Sequence, residues 1–164
     1  MSPTHEPRWL TPEELRAWLR LQAVVELLPA TLDAQLGRDS GLTHYEYLLL
    51  AMLSETPGRT LRMSQLASAT NATLPRLSHV VKRLEARGLV TRHPCTDDRR
   101  ATLARLTDAG WDTVVASAPG HVETVRRHVM DVLTPAQVEQ LSTIAAAVGR
   151  SLDPEGRLYA LTGD

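Results

Sequence analysis

Between Ser64 and Leu106 the hydrophobic rhythm of this chain switches from a helical period to a strand period, and few small folds accommodate that order. Ser64 to about Thr70 reads as a short helix that turns Leu66 and Ala67 inward. Thr73 or Asn71 can cap a second helix, which reaches Arg87 and stops at Gly88. In that helix Leu77, Val80, Val81 and Leu84 follow the i, i+3, i+4, i+7 spacing of a buried face. Leu89 to His93 then reads as a strand, Pro94 to Arg100 as a polar loop and Ala101 to Leu106 as a second, alternating strand. Two short helices followed by a hairpin is the layout of a winged helix-turn-helix.

Charge singles out the same segment. From Arg59 to Leu106 the chain carries ten basic side chains against Glu85, Asp97 and Asp98, a net of +7; the whole chain is at −1, so everything else sums to −8. A basic middle in an acidic frame is the footprint of a nucleic-acid-binding module, and the frame, repelled by phosphate, helps to orient it. On the helix from Thr73 to Arg87, the face opposite the apolar stripe presents Arg76, Ser78, His79, Lys82 and Arg83. Arg76 can pair two-pronged with a guanine edge, and Ser78 and His79 can bond base edges or phosphate. Lys82 and Arg83, further along, suit phosphates. The tip of the hairpin carries Asp97-Asp98-Arg99-Arg100, and an arginine there can reach into a minor groove while an aspartate directs it.

The frame is helical. Thr11-Pro12-Glu13-Glu14 is a capping signal that opens a helix to about Leu36, with a kink expected at Pro29 and a stop at Gly37. Thr43-His44-Tyr45-Glu46 opens a second helix, apolar almost all round, that runs to about Glu55. Leu106 to Leu133 is a long helical stretch expected to bend or restart at Pro119-Gly120, and Thr134-Pro135-Ala136-Gln137 opens a last helix carrying Leu141, Ile144 and Val148. With no Phe, the core must be aliphatic. The expected fold is therefore mainly α with a small β-hairpin wing, in three regions: N-terminal dimerisation helices (1–57), a winged module (58–107) and C-terminal dimerisation helices with a tail (108–164). The outer helices carry more apolar surface than a module of about fifty residues can cover, which points to a two-fold homodimer. Such a dimer sets two recognition helices about one DNA turn apart on an inverted repeat.

Other chemistries find no purchase. The chain has no nucleophile elbow, phosphate-binding loop or dinucleotide fingerprint, so no enzyme is expected. Its six histidines show no metal-ligand spacing, and no metal or other cofactor is expected. The longest apolar run, Tyr47 to Leu53, is far below a membrane span, and the first residues lack the order of a secretion signal. A cytoplasmic location follows, and the lone Cys95 fits a reducing compartment and reads as a polar loop residue.

The run RMSQLASAT, continued by LSHVVKRLEARGLVTRHPCTDDRRATLARLTDAG, closely resembles the MarR family of bacterial transcriptional regulators. RLEARGLVTR and the D-R-R…LTDAG wing signature are its most specific parts, and GLTHYEYLLLAML extends the likeness over nearly the whole chain. The stretch HVETVRRHVMDVLTPAQ and the excess of Arg over Lys are similar to members common in high-GC bacteria. The resemblance implies an obligate dimer with interlocked outer helices, a recognition helix at Thr73 to Arg87, and a wing pair of Asp98 with Arg100, Arg99 lying beside them. Pro75 departs from the small polar residue common at that position and removes one possible base contact. The family's commoner mode is repression, relieved by small aromatic or phenolic anions in a cleft between the dimer helices and the winged module. Trp18, His44, Tyr45 and Tyr47 are placed to line such a cleft, and equally to be core or dimer packing. An architectural DNA binder without an effector is the alternative.

Overall fold

The computed structural model describes residues 7–96, 98 and 100–158. Its elements run α1 (Pro12–Ser40), α2 (His44–Glu55), β1 (Thr60–Arg62), α3 (Met63–Ala69), α4 (Leu74–Ala86), β2 (Val90–Pro94), β3 (Thr102–Leu106), α5 (Asp108–Val125) and α6 (Pro135–Leu152). The fold is mainly helical with one small antiparallel sheet, the winged helix-turn-helix expected from the sequence.

The capping signals act as read. Thr11, Thr43 and Thr134 each close a full capping box, with Glu14, Glu46 and Gln137 reaching back. Each cap is worth about 1 kcal/mol to its helix. Thr73, rather than Asn71, caps α4 by accepting from the backbone N–H of Arg76.

Two expected punctuation marks fall elsewhere. The first helix does not stop at Gly37 but runs on to Gly41, where φ of 63° lets the backbone N–H turn back onto the Leu36 carbonyl. Leu36 is fully buried, and that packing carries the helix past a single glycine. α5 neither ends nor restarts at Pro119; the interruption comes after Val125, as a π-helical turn over Arg126–Met130. There the N–H of Asp131 reaches the Arg126 carbonyl at 2.8 Å and the Asp131 carboxylate meets the Arg126 guanidinium at 2.6 Å. Pro29, where a kink is expected, lies within the span of α1. Both prolines are exposed, so water can satisfy the carbonyl four residues back that each deprives of its partner.

The sheet has a third strand that the sequence reading omitted. β1 pairs with β3, giving the order β1-β3-β2 with Thr60 opposite Arg105 and Val90 opposite Leu106. At three residues β1 is too short to show alternation.

The core is aliphatic. Leu36, Leu42, Leu49, Leu50, Met52, Leu53, Leu66, Leu77, Val81 and Leu84 join α1 through α4, and Leu89, Val90, Ala104 and Leu106 bind the sheet to them. α5 is locked to the wing base: the guanidinium of Arg59 lies 4.0 Å over the Trp111 ring and 3.3 Å from the Asp108 carboxylate. α6 is different, with no buried residue along its 18.

A stack of rings joins α2 to α5. The His44 and His121 rings lie 5.7 Å apart and nearly parallel, and Tyr47 tilts against His121 at 4.6 Å. Burial is the main cause that lowers both histidines' pKa; Asp33 partly offsets it at His44, and the His44 charge adds to it at His121. A base whose folded pKa lies below its unfolded one binds protons better when unfolded. Stability is therefore complete above about 6.5, the free imidazole value, and drains as pH falls through the lowered pair. Urea midpoints should drop from pH 7.5 to pH 5.5, and His121→Phe should flatten that drop; an equal drop in the variant would place the sensitivity elsewhere.

Candidate nucleic-acid interface

α4 presents two faces because its apolar residues fall on one stripe. Leu77, Val80, Val81 and Leu84 are buried, while Arg76, His79, Lys82 and Arg83 are exposed and Ser78 is half-buried. Pro75 sits in the first turn, where its missing N–H costs no helical bond. The exposed face ends in Arg76 at the N-terminus, beside Thr73.

The wing folds back beside that face. The Cys95 N–H donates to the Ala101 carbonyl and the Ala101 N–H to that of Asp98, both at 2.9 Å, and the Asp98 carboxylate accepts from the Arg100 backbone N–H at 3.0 Å. Asp98 thus pins the backbone of Arg100, and the Arg100 side chain is exposed. Arg99, expected beside them, lies outside the described residues. A cleft of about 400 Å³ between wing and helix is lined by Ser78, Asp98 and Arg100, together with Arg62 and Arg92. So the structure brings Leu74 and Ser78 of α4 together with the wing tip around one concavity, while Arg76 and His79 line a different cleft.

Arg62 and Arg92 entered the sequence reading only as charge. Arg62 ends the short strand β1, and Arg92 is held by a fork of hydrogen bonds from its Nε (3.0 Å) and Nη2 (2.7 Å) to the Glu85 carboxylate. Those bonds hold the Glu85 pKa below its usual value and tie β2 to the last turns of α4. Cys95, expected as a polar loop residue, does lie in the loop after β2 but is buried there, with the Arg62 guanidinium 3.9 Å from its Sγ. Wing closure carries it inward.

A second cleft, of about 570 Å³, opens between α1, α2 and α4. His44 and Tyr45 line it with Asp33, Arg76, His79 and Arg83. The Arg76 guanidinium lies 5.2 Å over the Tyr45 ring, and the Tyr45 hydroxyl is 3.0 Å from that of Thr70. Tyr47 points the other way, into the His121 stack, and Trp18 sits half-exposed on the outer face of α1. Of the four aromatics expected at one cleft, His44 and Tyr45 line this one, His44 also joins Tyr47 in the His121 stack, and Trp18 lies apart from both. Among the described residues no group of three His, Cys, Asp or Glu side chains is close enough to hold a metal ion, and no helix is long and apolar enough to cross a membrane.

The family model of the MarR family matches residues 40–101, from the end of α1 to the wing. Sco3205 from Streptomyces coelicolor, a MarR family transcriptional regulator solved in complex with DNA, is 45% identical over 92% of this chain and 94% of its own, with a TM-score of 0.86. The chain belongs to the MarR family. AbsC, another MarR family regulator from Streptomyces coelicolor, is 40% identical over 90% of this chain and 99% of its own, also at a TM-score of 0.86. An organohalide-sensing regulator solved with 2,4-dichlorophenol shares the fold at 18% identity, with a TM-score of 0.76 over 95% of this chain and 92% of its own. This MarR protein thus belongs with transcriptional regulators rather than enzymes, and one of those relatives is solved with DNA bound.

Proposed function

We propose that this MarR protein is a cytoplasmic homodimeric repressor. It reads an inverted-repeat operator with the first half of α4 in the major groove and the wing in the adjacent minor groove. The observation that carries the reading is the concavity where Ser78 of α4 meets Arg100 of the wing, with Arg76 and His79 exposed on the adjoining face of the same helix. A duplex fits that arrangement: a polar helix end for base edges, and cations on either side for two phosphate strands. The relative crystallised with DNA supports it.

Release comes from the second cleft. Arg76 lines it as a cation beside the Arg83–Glu46 pair, and Tyr45 offers a ring face, a set that suits a small aromatic or phenolic anion. An anion seated there would engage Arg76, which the operator also needs, so the two ligands compete. That the organohalide sensor binds a chlorophenol fits this chemistry.

Fluorescence anisotropy with the protein's own promoter region tests the reading. Arg76→Ala and Arg100→Ala should each weaken operator binding by about 1–3 kcal/mol per contact, with a much smaller change on scrambled DNA for Arg76→Ala. A phenolic acid titrated into the complex should release the promoter fragment. Equal wild-type affinity for promoter and scrambled DNA would instead support an architectural binder without an effector.

A further inference from the structure

One carboxylate is buried beneath the recognition helix, between cations that the charge map credits to DNA. Glu46 is only 5% exposed. Its Oε2 accepts from the Thr43 N–H at 2.9 Å, which closes the α2 cap, and its Oε1 accepts from Arg83 Nη2 at 3.0 Å. Arg87 Nη1 lies 4.0 Å from Oε2, and the same guanidinium donates to the carbonyls of Gly41 at 3.0 Å and Ser40 at 3.3 Å. Arg83 and Arg87 are one turn apart, so the last turns of α4 are clamped to the α1–α2 corner.

Resting on the DNA-reading role proposed above, we propose that Glu46 is a positioning residue for sequence discrimination. By drawing Arg83 and Arg87 inward, it sets the tilt at which the other half of α4 meets the bases. It also withholds a cation from the phosphates. Phosphate contacts strengthen binding to every sequence alike, whereas a fixed tilt helps only the sequence whose edges match Arg76, Ser78 and His79. The clamp gives up non-specific affinity and gains selectivity. It also explains why a residue such as Arg83, exposed on a basic helix, is not free to act as a simple phosphate contact.

Glu46→Gln tests this with the full-length protein. Gln keeps a carbonyl oxygen for the Thr43 N–H, since Gln serves in capping boxes, but turns an amide N–H toward Arg83 and drives it out. Affinities are measured across a KCl series for a duplex selected from a random-sequence library and for a scrambled duplex. Binding to the scrambled duplex should tighten, its salt slope should steepen by about one per half-site, and the selected-to-scrambled ratio should fall roughly tenfold. Arg83→Ala probes the clamp from the surface side, without disturbing the core: the ratio should fall while the slope stays as in wild type. A slope shallower by about one per half-site in Arg83→Ala places Arg83 on phosphate already and overturns the proposal. So does a folded Glu46→Gln protein with the wild-type slope and ratio. Wild-type protein that fails to prefer its selected duplex overturns the DNA-reading role itself, a result distinct from both.

Discussion

Gly110→Ala should destabilise the protein by about 3 kcal/mol, lowering Tm by roughly 6–12 °C for a domain of this size. A Cβ at Gly110 would sit 2.2 Å from the Leu89 carbonyl oxygen and 2.6 Å from Leu106 Cδ1. Neither neighbour can give way cheaply. The Leu89 carbonyl already accepts from the Thr107 N–H at 3.1 Å, and Leu106 is buried as the last residue of the central strand. The start of α5 would have to lift off the wing base, straining the Thr107 hydroxyl's bond to the Gly88 carbonyl as well. Gly37→Ala is the matched control. It is also a helical glycine, but a Cβ there meets nothing within 4 Å, so alanine should gain up to about 1 kcal/mol. Thermal unfolding followed by circular dichroism compares the two; a Gly110→Ala protein as stable as wild type would show that α5 seats loosely on the wing.

Much of the fold could be read along the chain because its start signals are local. A capping box spans four residues, and each Thr that announced one does cap a helix. Stops are less legible, because a Gly or Pro ends a helix only when packing does not insist on continuing. Gly37 lies one residue after buried Leu36, and Pro119 two residues after buried Ser117, so tertiary packing decides in both places. β1 escaped notice for another reason: its strand character comes from pairing with β3, forty residues further on. The candidate site shows the same division. Periodicity identified which residues of α4 face outward, but whether an outward arginine is available depends on partners far away in sequence. Arg83 finds Glu46 thirty-seven positions back, and no spacing rule links the two. Arg62 and Arg92 line the cleft for a similar reason, each set there by strand pairing and an ion pair rather than by helical phase.

The second large effect concerns the outer helices. Ile144→Asp should convert the protein to a monomer and weaken operator binding by roughly 10²–10⁴-fold, the avidity of a second linked half-site. α6 has no buried residue, yet Leu141, Ile144, Val148 and Leu152 recur along it at helical spacing, with Ile144 61% exposed. An isolated helix of this length is marginal in water. The exposed stripe of α1 carries a comparable load, including Leu15, Trp18, Leu19 and Leu27. Burying one such aliphatic side chain is worth about 1.5–3 kcal/mol, so leaving this many in water is costly. A second copy of the same chain, offering the same two stripes, would cover them by two-fold symmetry. Asp in the middle of that surface would carry an unpaired charge into the seam, which the interface cannot solvate. The winged module keeps its own aliphatic core, so its cooperative unfolding should survive the change. Light scattering reports the mass and anisotropy the affinity. A variant that stays dimeric would place the seam elsewhere, and a monomer that holds the operator as tightly as wild type would remove the two-fold reader altogether.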